Sequence, residues 1–120
     1  MAEALDIILM PSVLWSTVPS GGGGAKRGAF LKAMGLKRGV PDILIFWSDS
    51  ACPVLPGRDG RPSFVLGIEL KAGKNKPSDA QKEWHARAKL LGHMIAVCYS
   101  LKEVVEALDR FKVPHRPVKI

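Results

Sequence analysis

The sequence predicts a small α/β domain in which helices flank a mixed β-sheet. Three short apolar segments rich in β-branched residues, 43–47, 64–70 and 94–99, are typical of buried strands. Two segments with helical spacing of apolar residues begin at capping boxes, at Ser78 and Ser100. The chain has 120 residues, 47% of them hydrophobic, which fits one domain spanning 1–120.

Before the first of these strands, the pattern is weaker. Residues 3–10 predict a short helix and residues 13–18 a short strand. A glycine patch at 21–24 follows, and it leads into a basic segment of weak helical character, 26–36. The apolar run 43–47 then predicts a strand that is buried on both faces.

The connections predict how the later elements are arranged. A polar stretch with the turn signal Asp59-Gly60 separates the strands at 43–47 and 64–70, so an antiparallel hairpin is expected. The helix from Ser78 to Gly92 joins the strands at 64–70 and 94–99, which are therefore expected to be parallel. Its apolar stripe and that of the last helix comprise Ala80, Trp84, Ala88 and Leu91, and Leu101, Val104, Val105, Leu108 and Phe111.

Composition limits the class of protein. Eighteen Lys and Arg against 11 Asp and Glu give a net charge of +7, which favours a polyanionic partner such as nucleic acid. Cys52 and Cys98 lie too far apart for a zinc ribbon or a disulfide scaffold. The longest apolar run contains Pro11 and is too short to span a bilayer. The acids near the chain start are atypical of a signal peptide, and a cytoplasmic location is expected.

Two acidic residues lie where carboxylates are costly. Asp42 begins a buried strand and Glu69 stands near the end of another. Because side chains alternate along a strand, Glu69 and Lys71 project on the same face. If the two strands pair, these three groups converge. Two carboxylates can hold Mg²⁺ with a lysine beside it, an arrangement suited to cleaving phosphodiester bonds.

Each of these residues also has an ordinary structural interpretation. Asp42 is a common turn residue, and Glu69 with Lys71 could form a surface pair on an edge strand. Gln81 occupies the third position of a capping box, which explains it without a role at a site. His85, one turn later, is expected to be a partly exposed helix residue rather than a ligand. His93 and His115 have no partner at metal-ligand spacing, and Cys98 is expected in the core.

An ordered set of motifs resembles one nuclease family. The pair Pro41-Asp42 and the triplet Glu69-Leu70-Lys71 match a PD-(D/E)xK signature. With the segment 35–45, Ser78-x-x-Gln81 and Leu91-Gly92, they resemble the VRR-NUC (virus-type replication-repair nuclease) family over roughly residues 20–108. The resemblance implies a restriction-endonuclease-like core and Mg²⁺-dependent DNA hydrolysis, with Mn²⁺ able to substitute. The DNA is expected to be branched or otherwise structured, as in replication and repair.

The resemblance also implies roles for individual residues. Asp42, Glu69 and the backbone carbonyl of Leu70 would bind the metal, Lys71 would be the catalytic lysine, and Gln81 would lie near the site. The family tends to carry a further acid on its first helix, for which Glu3 is the candidate and Asp6 its competitor. Basic residues that flank the site in sequence are expected to contact DNA: Lys26, Arg27, Lys37, Arg38, Lys74 and Lys76.

Assembly and context have several open alternatives. A homodimer is expected because one domain offers one site, and Trp15, Trp47 or the C-terminal residues are candidates for the contact. Two other functions fit the same sequence: a non-catalytic nucleic-acid-binding module, and a nuclease subunit that is active only within a larger assembly. The expected host compartment is intracellular, and a phage or prophage origin is consistent with the resemblance.

Overall fold

The structure, a computed structural model, describes residues 1–18, 39–48, 53–54, 56–57 and 60–118. Its helices are α1 (Ala2–Ile8), α2 (Asp79–Leu90) and α3 (Leu101–Arg110). Its strands are β1 (Leu14–Thr17), β2 (Ile43–Ser48), β3 (Ser63–Leu70) and β4 (Met94–Cys98). The prediction of an α/β domain with a small mixed sheet is confirmed. The glycine patch and the basic segment 26–36 lie outside the described residues.

The four strands form one sheet in the order β1-β2-β3-β4. Antiparallel pairing of β2 with β3 confirms the hairpin, and parallel pairing of β3 with β4 confirms the crossover through α2. In the hairpin register, Ile43 lies opposite Ile68. The residue before Ile43 and the residue after Ile68 are therefore neighbours, which places Asp42 beside Glu69.

One face of the sheet carries the core. Ile43, Ile45 and Trp47 of β2 are buried there, whereas Leu44 and Phe46 on the other face are only half-buried. The expectation that this strand is buried on both faces is therefore wrong. The core face packs with α1, α3 and the segments that follow them, through Leu5, Ile8, Leu9, Val13, Leu66, Ile68, Ala96, Cys98, Val104, Val105, Ala107, Leu108 and Val113.

Helix α2 belongs to the other face of the sheet. Its N-terminus has the predicted capping box: the Ser78 hydroxyl accepts from the Gln81 N–H, and the Gln81 side-chain oxygen accepts from the Ser78 N–H. The predicted apolar stripe is less buried than expected, since Ala80, Trp84 and Ala88 are half-buried and Leu91 is exposed. These residues line an apolar cleft of about 840 Å³ between α2 and the sheet.

Two glycines allow close approaches that position α2 and β2. Gly39 has φ +85°, and a Cβ there would lie 2.2 Å from the carbonyl oxygen of Ala80, so the chain passes directly over the first turn of α2. Gly67 lies in β3, where a Cβ would meet Cγ of Pro41 at 2.7 Å. The missing side chain at Gly67 lets Pro41 pack on β3, and Pro41 directly precedes Asp42.

No helix within the described ranges has both the length and the apolar character needed to cross a membrane.

Candidate metal centre

Asp42 and Glu69 meet at the junction of β2 and β3. The side chain of Asp42 reaches across the hairpin, where its Oδ2 accepts a hydrogen bond of 2.8 Å from the backbone N–H of Leu70. The bond joins residues 28 positions apart, so it is a tertiary contact and not the local turn that was the alternative interpretation of Asp42. It fixes the Asp42 carboxylate beside the end of β3.

Glu69 is completely buried and lies next to Asp42. Burial is the main reason that its pKa rises from 4.5 to about 7, and the neighbouring Asp42 carboxyl raises it further. The positive charge of Lys71 acts in the opposite direction. Two carboxyl groups in contact away from water resist carrying two negative charges, so the pair favours either a shared proton or a cation.

The carboxylate of Glu69 has unmet hydrogen-bonding capacity. Among the described residues, neither Oε1 nor Oε2 has a hydrogen-bond partner. A buried ionised carboxylate without donors costs several kcal/mol. An edge-strand surface pair would leave this group in solvent, so the alternative interpretation of Glu69 and Lys71 as a surface pair is wrong.

His85 is the unexpected member of the group. It is the one residue of α2 whose described side chain is buried, and its Nε2 lies 3.8 Å from Oε1 of Glu69. This separation is too long for a hydrogen bond, and Nε2 also has no partner among the described residues. Burial, then the charges of Lys89 and Lys71, lower the pKa of His85, so the neutral imidazole faces Glu69.

Lys71 directly follows β3 at the edge of the group. Its backbone N–H donates to the carbonyl of Cys98, which continues the β3–β4 pairing by one residue. Its side chain is half-buried, and its charge acts on both Glu69 and His85. The ammonium group therefore lies near the carboxylate that would hold a metal.

The donor set suits a hard divalent cation, although it is small. Asp42 and Glu69 supply carboxylate oxygens, and the carbonyl of Leu70 is the predicted third protein ligand. In the part of the chain that the structure describes, no three His, Cys, Asp or Glu side chains form a group that could hold a metal ion. Mg²⁺ is compatible with such a site, because it usually retains several waters and binds one or two carboxylates.

The remaining predicted site residues lie away from the carboxylate pair or have other contacts. The side-chain oxygen of Gln81 is used in the capping box, which supports the structural interpretation of this residue. Glu3 and Asp6 are exposed on α1. The structure does not bring either acid to Asp42 and Glu69 as a third carboxylate.

The predicted DNA-contacting residues divide into two sets. Lys74 and Lys76 are exposed in the loop between β3 and α2, a few residues after Lys71. That loop is held by a hydrogen bond from the Tyr99 hydroxyl to the carbonyl of Asn75, at 2.7 Å. The other predicted contacts, Lys26, Arg27, Lys37 and Arg38, lie outside the described residues.

Two sequence-based interpretations of single residues need correction. His85 was expected to be partly exposed, but its position four residues after Gln81 turns it towards the sheet, where Glu69 lies. That spacing is the signal in the sequence that could have identified it. Trp47 was a candidate for a dimer contact, but it is buried in the core against Phe64 and has no surface to offer a partner. Trp15 is half-buried on β1.

Comparisons of the chain with known protein families, with curated proteins and with solved structures find no match.

Proposed function

We propose that this protein is a Mg²⁺-dependent DNA endonuclease with a restriction-endonuclease-like core. The observation that carries the proposal is the meeting of Asp42 and the buried, unpartnered Glu69, with the Lys71 charge beside them. A fold gains nothing in stability from two adjacent carboxyl groups at a buried strand end. A cation-binding role accounts for both of them.

Each residue has a distinct task in the proposed reaction. Asp42 and Glu69 hold the cation through carboxylate oxygens, and the Asp42–Leu70 hydrogen bond keeps the first carboxylate in place. When bound, the cation lowers the pKa of a coordinated water and offsets negative charge on the phosphate. Lys71 orients the attacking water or stabilises the additional negative charge that develops on the phosphate oxygens.

The proposed substrate is DNA, and branched or structured DNA is the preferred form that the family resemblance implies. The net charge of +7 supports a polyanionic substrate. The exposed Lys74 and Lys76 follow the site directly and suit contacts with the phosphate backbone. Such contacts position DNA but do not read its sequence.

The test is cleavage by purified variants. Plasmid, single-stranded and branched DNA are incubated with Mg²⁺, with Mn²⁺ or with EDTA. Asp42→Asn, Glu69→Gln and Lys71→Ala are expected to abolish cleavage while the far-ultraviolet circular dichroism spectrum and DNA binding are retained. Glu3→Gln is the matched control, since it removes an exposed carboxylate and should leave cleavage unchanged.

Other results would favour the alternatives. The small number of carboxylates at the site favours one of them, a non-catalytic nucleic-acid-binding module. Salt-dependent DNA binding by the wild-type protein without cleavage under any metal condition would support that module. Cleavage that requires an added protein would indicate a subunit of a larger assembly. Full cleavage by Asp42→Asn or Glu69→Gln would refute the assigned roles.

The homodimer remains part of the proposal. Two cuts in a duplex or junction are most simply made by two sites related by twofold symmetry. Light scattering distinguishes the states, because the monomer has a mass of 13.0 kDa and a dimer would have twice that mass.

A further inference from the structure

The proposed metal site has a third buried donor, which the sequence analysis assigned to the helix surface. His85 of α2 is buried, and its Nε2 points towards Oε1 of Glu69 across 3.8 Å. Both atoms, and also Oε2 of Glu69, are buried without hydrogen-bond partners among the described residues. Three such atoms at one place are uncommon, because buried polar groups are nearly always satisfied.

We propose that Nε2 of His85 and Oε1 of Glu69 coordinate the same divalent cation, so that the site prefers an imidazole-binding transition ion such as Mn²⁺ to Mg²⁺. This inference rests on the proposed metal site and adds to it a nitrogen ligand and a metal preference.

The distance between the two atoms supports a shared ion over a direct contact. Metal–nitrogen and metal–oxygen bonds of about 2.1 to 2.2 Å let two ligand atoms of one ion lie about 3.0 Å apart when adjacent in an octahedron and about 4.2 Å apart when opposite. A hydrogen bond would bring the same atoms to about 2.9 Å. The observed 3.8 Å lies within the first range and outside the second.

The chemistry of the donors determines which ion is preferred. Mg²⁺ favours oxygen ligands and gains little from an imidazole, whereas later first-row ions bind nitrogen with increasing strength from Mn²⁺ to Cu²⁺. Asp42 and Glu69 alone would serve Mg²⁺ and Mn²⁺ nearly equally. The imidazole of His85 is the feature that separates the two ions.

The first experiment detects the nitrogen ligand directly and does not depend on activity. The wild-type protein is loaded with Mn²⁺, and pulsed electron paramagnetic resonance measures electron spin echo envelope modulation. Coupling to a coordinated imidazole ¹⁴N is expected. His93→Asn, which removes an exposed histidine of the same chain, should retain the coupling, and His85→Asn should lose it. Bound Mn²⁺ without nitrogen coupling in the wild-type protein would overturn the inference.

The second experiment measures metal preference by isothermal titration calorimetry. His85→Phe preserves a large ring but removes the donor, and it is expected to weaken Mn²⁺ binding about tenfold while Mg²⁺ binding changes less than about twofold. Equal losses for the two ions would contradict a ligand role and would indicate structural damage at the site.

The two proposals fail in different ways. If Asp42→Asn and Glu69→Gln abolish Mn²⁺ binding but the wild-type protein shows no ¹⁴N coupling, the carboxylate site stands and the role of His85 is wrong. If the wild-type protein binds neither ion at millimolar concentration, the metal site itself is wrong, and the inference about His85 is wrong with it.

Discussion

Replacing Glu69 by glutamine should stabilise the metal-free protein at alkaline pH, although it destroys the proposed site. The ionised Glu69 carboxylate is buried beside Asp42 and has no donor among the described residues. Glutamine has nearly the same shape and no charge. Its amide can donate to the Asp42 carboxylate as the protonated glutamic acid would. The substitution therefore removes the electrostatic cost without leaving a cavity.

The magnitude follows from the pKa of Glu69. Its rise from 4.5 to about 7 in the folded state corresponds to about 3 kcal/mol, because one pKa unit is worth about 1.4 kcal/mol. A raised folded-state pKa means that the folded protein binds the proton more tightly than the unfolded chain does. The contribution of Glu69 to stability is thus complete below pH 4.5, declines as the pH rises to 7, and stays lost above that value.

Thermal unfolding in EDTA, followed by circular dichroism from pH 4.5 to 8.5, measures this effect. Glu69→Gln and the wild-type protein should unfold at similar temperatures at pH 4.5. At pH 8 the variant should be more stable by about 2 to 3 kcal/mol, or about 10 °C in a domain of this size. Glu106→Gln, which neutralises an exposed acid of α3, should show no comparable pH dependence.

Added metal should reverse the order of stability. A divalent cation at a hundred times its dissociation constant stabilises the wild-type protein by about 2.7 kcal/mol, and Glu69→Gln should gain little from it. A variant that is less stable than the wild-type protein at pH 8 in EDTA would refute the reasoning. A stability difference that does not change with pH would refute it as well.

Three further predictions concern the structure around the site. Gly67→Ala places a Cβ 2.7 Å from Cγ of Pro41 and should cost about 1–3 kcal/mol in urea unfolding, whereas Gly60→Ala, which meets no atom within 4 Å, should cost far less. Ser78→Ala removes the α2 cap and should cost about 1 kcal/mol in the same assay; no loss would show that the capping box contributes nothing. Burial raises the pKa of Cys98 to about 11, so in a variant lacking the other cysteine its reaction with a thiol reagent at pH 8 should be about a hundredfold slower than that of an exposed thiol, and rapid reaction would contradict its burial.

Local signals in the sequence were sufficient for most of the secondary structure. The strands at 43–48 and 63–70 are dense in β-branched and aromatic residues, and the polar stretch between them favours antiparallel pairing. Ser78 and Ser100 begin their helices because a hydroxyl can accept from the free N–H groups of a first helical turn. Such preferences act over a few residues, so a single sequence carries them.

The pairing of Asp42 with Glu69 could also be predicted, because it follows from an antiparallel hairpin with these residues at its open end. The degree of burial could not. β2 has one buried face and one half-buried face, and Leu91 is exposed although it continues an apolar stripe. Apolar spacing identifies a face, but the elements that pack on it are distant in sequence.

The sequence by itself determined the α/β class, the order of the described strands and helices, and the two carboxylates that meet between β2 and β3. Only the tertiary structure decided that Glu69 has no hydrogen-bond partner among the described residues and that His85 of α2 faces it. The reason is physical: the state of a buried charge depends on which groups surround it in space. In this protein those groups come from a strand and a helix that the chain brings together only on folding.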